Sequence, residues 1–155
     1  MQIKEMKTSE LIPYENNPRK NDAAVEKVAA SIREFGFKVP IVIDKNKVIA
    51  AGHTRLKAAE LLGLETVPVI MADDLTDEQI QAFRLADNKT GELAEWDFGK
   101  LKEELEKIKG IIDMDDFGFM TEAIQTFKEQ VEEEAKEKEV KKIFCPRCGK
   151  LVAVE

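Results

Sequence analysis

Residues 48–59, VIAAGHTRLKAA, lead an apolar segment through one glycine and three polar side chains into an alanine-rich run. A glycine between a strand and a helix lets backbone N–H groups approach an anion closely, and the helix N-terminus directs about half a positive charge at it. Phosphate is the natural ligand of such a turn. His53 and Thr54 put an imidazole and a hydroxyl in the first turn, and Arg55 offers a planar fork of donors to phosphate oxygens. Taken alone, GHTR reads equally as an ordinary strand-to-helix connection with a hydrogen-bonded histidine and a solvated arginine.

The flanking sequence supplies the rest of a domain. Upstream, Ile3 and Met6 sit in a short alternating segment that predicts a strand, and Asn16-Asn17-Pro18 carries turn chemistry. Ala24, Val25, Val28, Ala29 and Ile32 recur at three- and four-residue spacing and predict a helix over residues 22–35, with Asp22 as N-cap and Gly36 as the stop. Val39, Ile41, Val42 and Ile43, then Lys45-Asn46-Lys47, then residues 48–50 predict a β-hairpin. After the helix opening near Thr54 and stopping at Gly63, residues 65–75 carry another strand. Thr76-Asp77-Glu78-Gln79 has the form of a capping box at the start of a further helix, which Asp87-Asn88 are expected to end. The order strand, helix, hairpin, helix, strand, helix defines a compact α/β or α+β domain.

Two further clusters favour phosphate chemistry. Asn17-Pro18-Arg19-Lys20 places two cations after a rigid turn, and Asp87-Asn88 pairs a carboxylate with a carboxamide. Such oxygen ligands suit Mg²⁺, which binds one or two of them together with substrate phosphates.

Composition narrows the function classes. With 31 acidic against 24 basic residues the net charge is −7, which argues against generic DNA coating, since that affinity comes from neutralising phosphates with Lys and Arg. No apolar run of about 18 residues spans a bilayer and the first residues lack the apolar core of a secretion signal, so a cytoplasmic location is expected.

Four boxes come in order, and together they resemble the N-terminal domain of ParB in the ParB/sulfiredoxin superfamily. NPRKN resembles the Asn/Pro/Arg box, SIREFGFKVPIVID the Ser-Ile-x-x-x-Gly-x-x-x-Pro-Ile-x-Val segment, and AGHTRLKAAELLG the Gly-Glu-Arg-Arg box. The stretch VPVIMADDLTDEQIQAFRLADN resembles the one ending in the Glu-Asn motif. The resemblance covers about residues 11–89 and implies a small mixed sheet with packed helices and a nucleotide pocket. It implies CTP or ATP with Mg²⁺ as ligand, with Arg19, Gly52, His53, Thr54, Arg55, Asp87 and Asn88 around the phosphates and Asp87 and Asn88 toward the metal. Thr54 stands where the family has an arginine and His53 where it has Glu. Glu34, in the Ser-Ile segment, is the candidate catalytic carboxylate. The sulfiredoxin branch carries its nucleophilic cysteine at the position of His53, so sulfinic acid reduction is not expected here.

No basic recognition helix follows the domain, so direct DNA binding by this chain is not expected. Its extension resembles phage and prophage ParB-like domains joined to adenine DNA methyltransferases. The expected organisation is a nucleotide-binding domain over residues 1–93, an amphipathic helix with an anchoring loop over 94–120, a charged helix or tether over 121–142, and a zinc-knuckle-like tail over 143–155. In that tail Cys145-Pro146-Arg147-Cys148 supplies two thiolates, whereas a structural Zn²⁺ takes four ligands. Two chains pairing their knuckles would make zinc the clamp of a homodimer; the other reading is a half-site that binds metal weakly. The function expected is a Mg²⁺-dependent CTP- or ATP-binding switch or NTPase linked to phage or plasmid DNA partition or metabolism. The rivals are a non-enzymatic adaptor for a DNA-processing protein such as a methyltransferase and a small-metabolite kinase resembling free serine kinase.

Overall fold

The strand before the glycine stands at one edge of a four-stranded sheet, and the helix after it buries Leu56, Ala58 and Ala59. The computed structural model describes residues 2–119, 141–144 and 151–154. It divides into two compact units, one ending at Gly118 and one beginning at Phe119.

In the first unit the elements run β1 (Ile3–Lys7), α1 (Asp22–Phe35), β2 (Ile41–Ile43), β3 (Ile49–Ala51), α2 (His53–Leu61), β4 (Thr66–Met71), α3 (Asp77–Glu92) and α4 (Phe98–Ile108). The strands form one sheet in the order β1-β4-β2-β3. β2 and β4 are parallel, with Ile41 opposite Val69 and Ile43 opposite Met71, and the other two pairings are antiparallel. The expected small mixed sheet with packed helices is therefore the observed one.

β-Branched residues dominate the two middle strands, whose burial alternates so that one face is fully buried and the other partly exposed. Ile41, Ile43, Ile49, Val67 and Val69 are fully buried and meet Leu11, Leu56 and Ala59 in one core cluster. The helices α1 and α2 pack together, and Ala29, Ala58 and Ala59 are buried where small side chains allow close approach. On the outer side of β3, α3 packs over what would be a bare strand edge. The hairpin turn between β2 and β3 is held by Asp44, whose Oδ1 accepts the amides of Asn46 (2.8 Å) and Val48 (2.9 Å).

Three element boundaries differ from the sequence expectation. The N-cap position of α1 is Asn21 and not Asp22, and no side chain caps the helix; Asn21 turns its side-chain amide toward Thr54, and Asp22 pairs with Lys57 at 2.6 Å. Helix α3 does not end at Asp87-Asn88 but continues to Glu92, because Asn88 Nδ2 donates back to the Arg84 carbonyl at 2.7 Å and so satisfies the helix where it was expected to break it. The amphipathic helix expected within residues 94–120 starts at Phe98, where Asp97 accepts the Lys100 amide at 3.2 Å. The capping box at Thr76 and Gln79 is formed as expected.

The loop after α4 contains a short 3₁₀ turn at Met114–Phe117 that returns to α1. Phe117 lies against Phe35 with ring centroids 5.3 Å apart, and Lys27 Nζ donates to the Asp115 carbonyl at 2.8 Å. In the second unit, β5 (Lys141–Phe144) and β6 (Leu151–Val154) pair antiparallel, with Phe144 opposite Leu151. The charged stretch 121–140 and the candidate zinc ligands Cys145 and Cys148 lie outside the described residues.

Candidate functional site

Gly52 opens α2 with φ at 109°, a left-handed geometry that a residue with a Cβ adopts only under strain. A Cβ there would also stand 3.3 Å from Ile41 Cγ1 and 3.3 Å from the Arg55 guanidinium carbon. Glycine is thus required twice, by the backbone and by the approach of Arg55. No side chain caps the helix, so the first-turn amides of α2 have only what lies outside the helix to bond to.

Around that helix mouth the structure brings together motifs distant in the chain. Asn21 Nδ2 donates to Thr54 Oγ1 at 2.8 Å, across 33 residues. Arg19 Nη1 donates to Asn88 Oδ1 at 2.8 Å, across 69 residues. Arg19 and Asp87 are exposed while Thr54, Arg55 and Asn88 are half-buried, so the cluster opens to solvent on one side.

Arg55 Nη1 donates to the carbonyls of Val39 (2.7 Å) and Pro40, tying α2 to the chain entering β2. Burial lowers the guanidinium's pKa, and the Asp87 carboxylate opposes that shift. An arginine keeps its charge through such a shift. The two donations use one nitrogen, which leaves the other face of the fork for an anion. Arg55 also lines a groove of about 850 Å³ whose walls include Val28, Ile32, Phe35, Phe37 and Phe117.

His53 reaches from the mouth of α2 to the loop before the Asn-Pro-Arg turn. Its Nε2 accepts the Tyr14 amide at 3.2 Å, so the imidazole braces a loop. Burial, then the nearby charges of Arg84 and Lys57, hold its pKa below the usual 6.5 and keep the ring neutral, as an acceptor must be. Asn88 is likewise occupied at both ends, by Arg19 and by the Arg84 carbonyl. Asp87 is the freer of the two candidate Mg²⁺ ligands, being exposed and without an ion-pair partner among the described residues. Among those residues no group of three or more His, Cys, Asp or Glu side chains gathers into a metal cage. Glu34 is exposed on the last turn of α1, and no hydrogen bond or ion pair among the described residues joins it to the cluster.

Sequence reading missed one residue, Arg84. Its Nε donates to the Ile49 carbonyl at 3.1 Å, its Nη2 reaches Asp44 Oδ2 at 3.4 Å, and its guanidinium carbon lies 4.2 Å from the Tyr14 ring centroid. Its side chain is 12% exposed and that of Asp44 15%, whereas the other ion pairs of the described residues lie on the surface. The signal was present: Arg84 stands four residues after the buried Ile80, on the helix face that meets the sheet.

Fold and site together define an α/β domain in which a glycine-opened helix faces an Asn-Pro-Arg loop and an Asp-Asn pair. The chain belongs to the ParB N-terminal domain family, which residues 1–89 match, as the four ordered boxes implied. It is similar to the ParB-like nuclease domain-containing protein YnaK of Escherichia coli K12, at 45% identity over 73 residues that make up 46% of this chain and 84% of that protein. Stage 0 sporulation protein J of Bacillus subtilis is 32% identical over 91 residues, which are 56% of this chain and 32% of that protein, so the chain spans about a third of that longer relative. Among solved structures, C-terminally truncated ParB of Caulobacter crescentus complexed with CTP-gamma-S superposes with a TM-score of 0.61 over 71% of this chain and 64% of that one, at 23% identity, a likeness of fold. Among the described residues no helix is long and apolar enough to cross a membrane.

Proposed function

We propose that the first unit binds a nucleoside triphosphate, CTP or ATP, together with Mg²⁺, and serves as a nucleotide-dependent switch or NTPase in DNA partition or metabolism. The observation that carries this reading is the convergence of the Asn-Pro-Arg loop, the mouth of α2 and the Asp-Asn pair through the Arg19–Asn88 and Asn21–Thr54 bonds. The two bonds join residues 69 and 33 positions apart at a cluster that opens to solvent. The Caulobacter relative of the same fold is complexed with a CTP analogue, which supports the choice of ligand class.

In this reading the first-turn amides of α2, over residues 53–55, and the guanidinium groups of Arg19 and Arg55 hold the phosphates. Asp87, and Asn88 through its remaining lone pair, hold Mg²⁺, which when bound neutralises phosphate charge. The apolar groove beyond Arg55 gives the nucleoside a dry wall. The net charge of −7 leaves contact with DNA to a DNA-processing partner.

Calorimetric titration of the full chain with CTP, ATP, GTP and ADP, each with Mg²⁺, tests the reading. CTP or ATP should bind, and Arg55→Ala should weaken binding about tenfold to a hundredfold, the cost of a charge-assisted hydrogen bond. Absence of binding by every nucleotide at millimolar concentration would leave the adaptor reading in its place. Phosphate release with and without DNA then separates an NTPase from a passive switch.

A further inference from the structure

The Asn-Pro-Arg loop is largely exposed, and its local hydrogen bonds run back to Tyr14. The Tyr14 carbonyl accepts the Asn17 amide at 3.2 Å, and Asn17 Oδ1 accepts the Arg19 amide at 3.2 Å. Tyr14 itself is gripped at two points from elsewhere: its amide by His53 of α2, and its ring face by Arg84 of α3. From Arg19 the contacts continue to Asn88 Oδ1, and from Asn88 Nδ2 back to the Arg84 carbonyl. The chain of contacts ends on Arg84, the residue that holds the Tyr14 ring.

We propose that Arg84 and His53 form a clamp on Tyr14 that positions the Arg19 guanidinium, so that Arg84, His53 and Tyr14 are positioning residues of the anion site. The geometry of the clamp is independent of the ligand; its consequence for binding rests on the nucleotide reading above.

The physical need is clear from Arg19. An exposed arginine loses rotamer freedom when it grips an anion, and a side chain already held in place loses less. Arg84 can act as the fixed point because its own fork is held by the β3 carbonyl of Ile49 and by Asp44, the residue that organises the hairpin turn. Its cation lies over the ring, a contact that gains strength when both groups are shielded from water. His53 acts by its neutral Nε2, and the two cations near it, Arg84 and Lys57, oppose the protonation that would remove that acceptor. This gives the one histidine of the chain, at a position where the family carries Glu, a role in holding a loop in place of a role in holding phosphate.

The test uses the full chain and two independent readouts, amide hydrogen exchange by NMR and calorimetric affinity for CTP and ATP with Mg²⁺. Tyr14→Leu, which removes only a half-buried ring, should speed exchange at the Asn17 and Arg19 amides about fivefold to tenfold, on the scale of one cation–π contact, with β4 amides unchanged. Nucleotide affinity should fall by a similar factor, and Tyr14→Phe, which keeps the ring face, should match wild type in both readouts. Arg84→Gln should also raise the His53 pKa in a histidine titration while β4 amide exchange stays as in wild type, which separates loss of the Arg84 charge from a general loosening that would raise the pKa by exposing the imidazole.

Faster loop exchange in Tyr14→Leu, in a chain that binds neither nucleotide, would uphold the clamp and sink the nucleotide reading. Unchanged exchange or unchanged affinity in Tyr14→Leu, in a chain that binds nucleotide, would overturn the clamp and leave the nucleotide reading standing.

Discussion

The mouth of α2 and the middle of α3 both supply the candidate site, yet by opposite means. At α2 the backbone does the work: a left-handed glycine, uncapped first-turn amides and a half-buried arginine that comes within 3.3 Å of where a Cβ would stand. At α3 no helix end is involved, since Arg84, Asp87 and Asn88 stand inside a sixteen-residue helix and act only through side chains and one carbonyl. The first region tolerates almost no change in backbone. The second tolerates changes in backbone propensity but depends on particular side-chain lengths.

The largest effect that tests this contrast is Gly52→Ala. A Cβ at φ of 109° is strained and meets both Ile41 and Arg55, so unfolding by urea should show a loss of about 3 kcal/mol, with nucleotide binding lost as well. If the variant is as stable as wild type, the α2 mouth is not held by its backbone as described. Next comes Arg19→Ala, which should weaken nucleotide binding about tenfold or more while leaving thermal stability nearly unchanged, because Arg19 is exposed and its side chain's hydrogen bond among the described residues is the one to Asn88.

The pH dependence of stability probes the link between the two regions. His53 has a folded pKa below its usual 6.5, so the unfolded chain takes the proton first as pH falls. Its contribution to stability is complete above the unfolded value and is lost as pH drops through the folded one. Urea unfolding at about pH 7.5 and about pH 5 should show a larger drop in wild type than in His53→Gln, whose amide does not titrate over that range. An equal drop in both proteins would detach His53 from the balance. The smallest effect belongs to Lys57→Ala: its pair with Asp22 at 2.6 Å is solvated on both sides, and removing it should change stability by less than about 0.5 kcal/mol.

The same contrast explains what the sequence revealed. Strand and helix order was legible because apolar spacing is a local signal, and the capping box at Thr76 and Gln79 was legible because both partners lie within four residues. The α2 mouth was legible for the same reason, since a glycine before a helix reports its own backbone. The middle of α3 was not. Asp87-Asn88 looked like a helix end because Asn favours turns, and only the bond from Asn88 to the Arg84 carbonyl shows how the helix absorbs it. Asp22 was expected as the cap of α1 in place of Asn21 for a similar reason: what Asn21 does is decided by Thr54, 33 residues away. His53 stood in a motif that implied phosphate contact, and its actual partner, the Tyr14 amide, is 39 residues distant.

The central claim is that the loop at Arg19, the first turn of α2 and the Asp87-Asn88 pair are one phosphate site. Titrating the ¹⁵N-labelled full chain with CTP and with ATP, each with Mg²⁺, and following backbone amide shifts tests it most directly. The account predicts that amides at residues 19–20, 53–55 and 87–88 move together and fit a single dissociation constant with at least one of the two nucleotides. Shifts confined to one of the three segments, or fitting different constants, would contradict it.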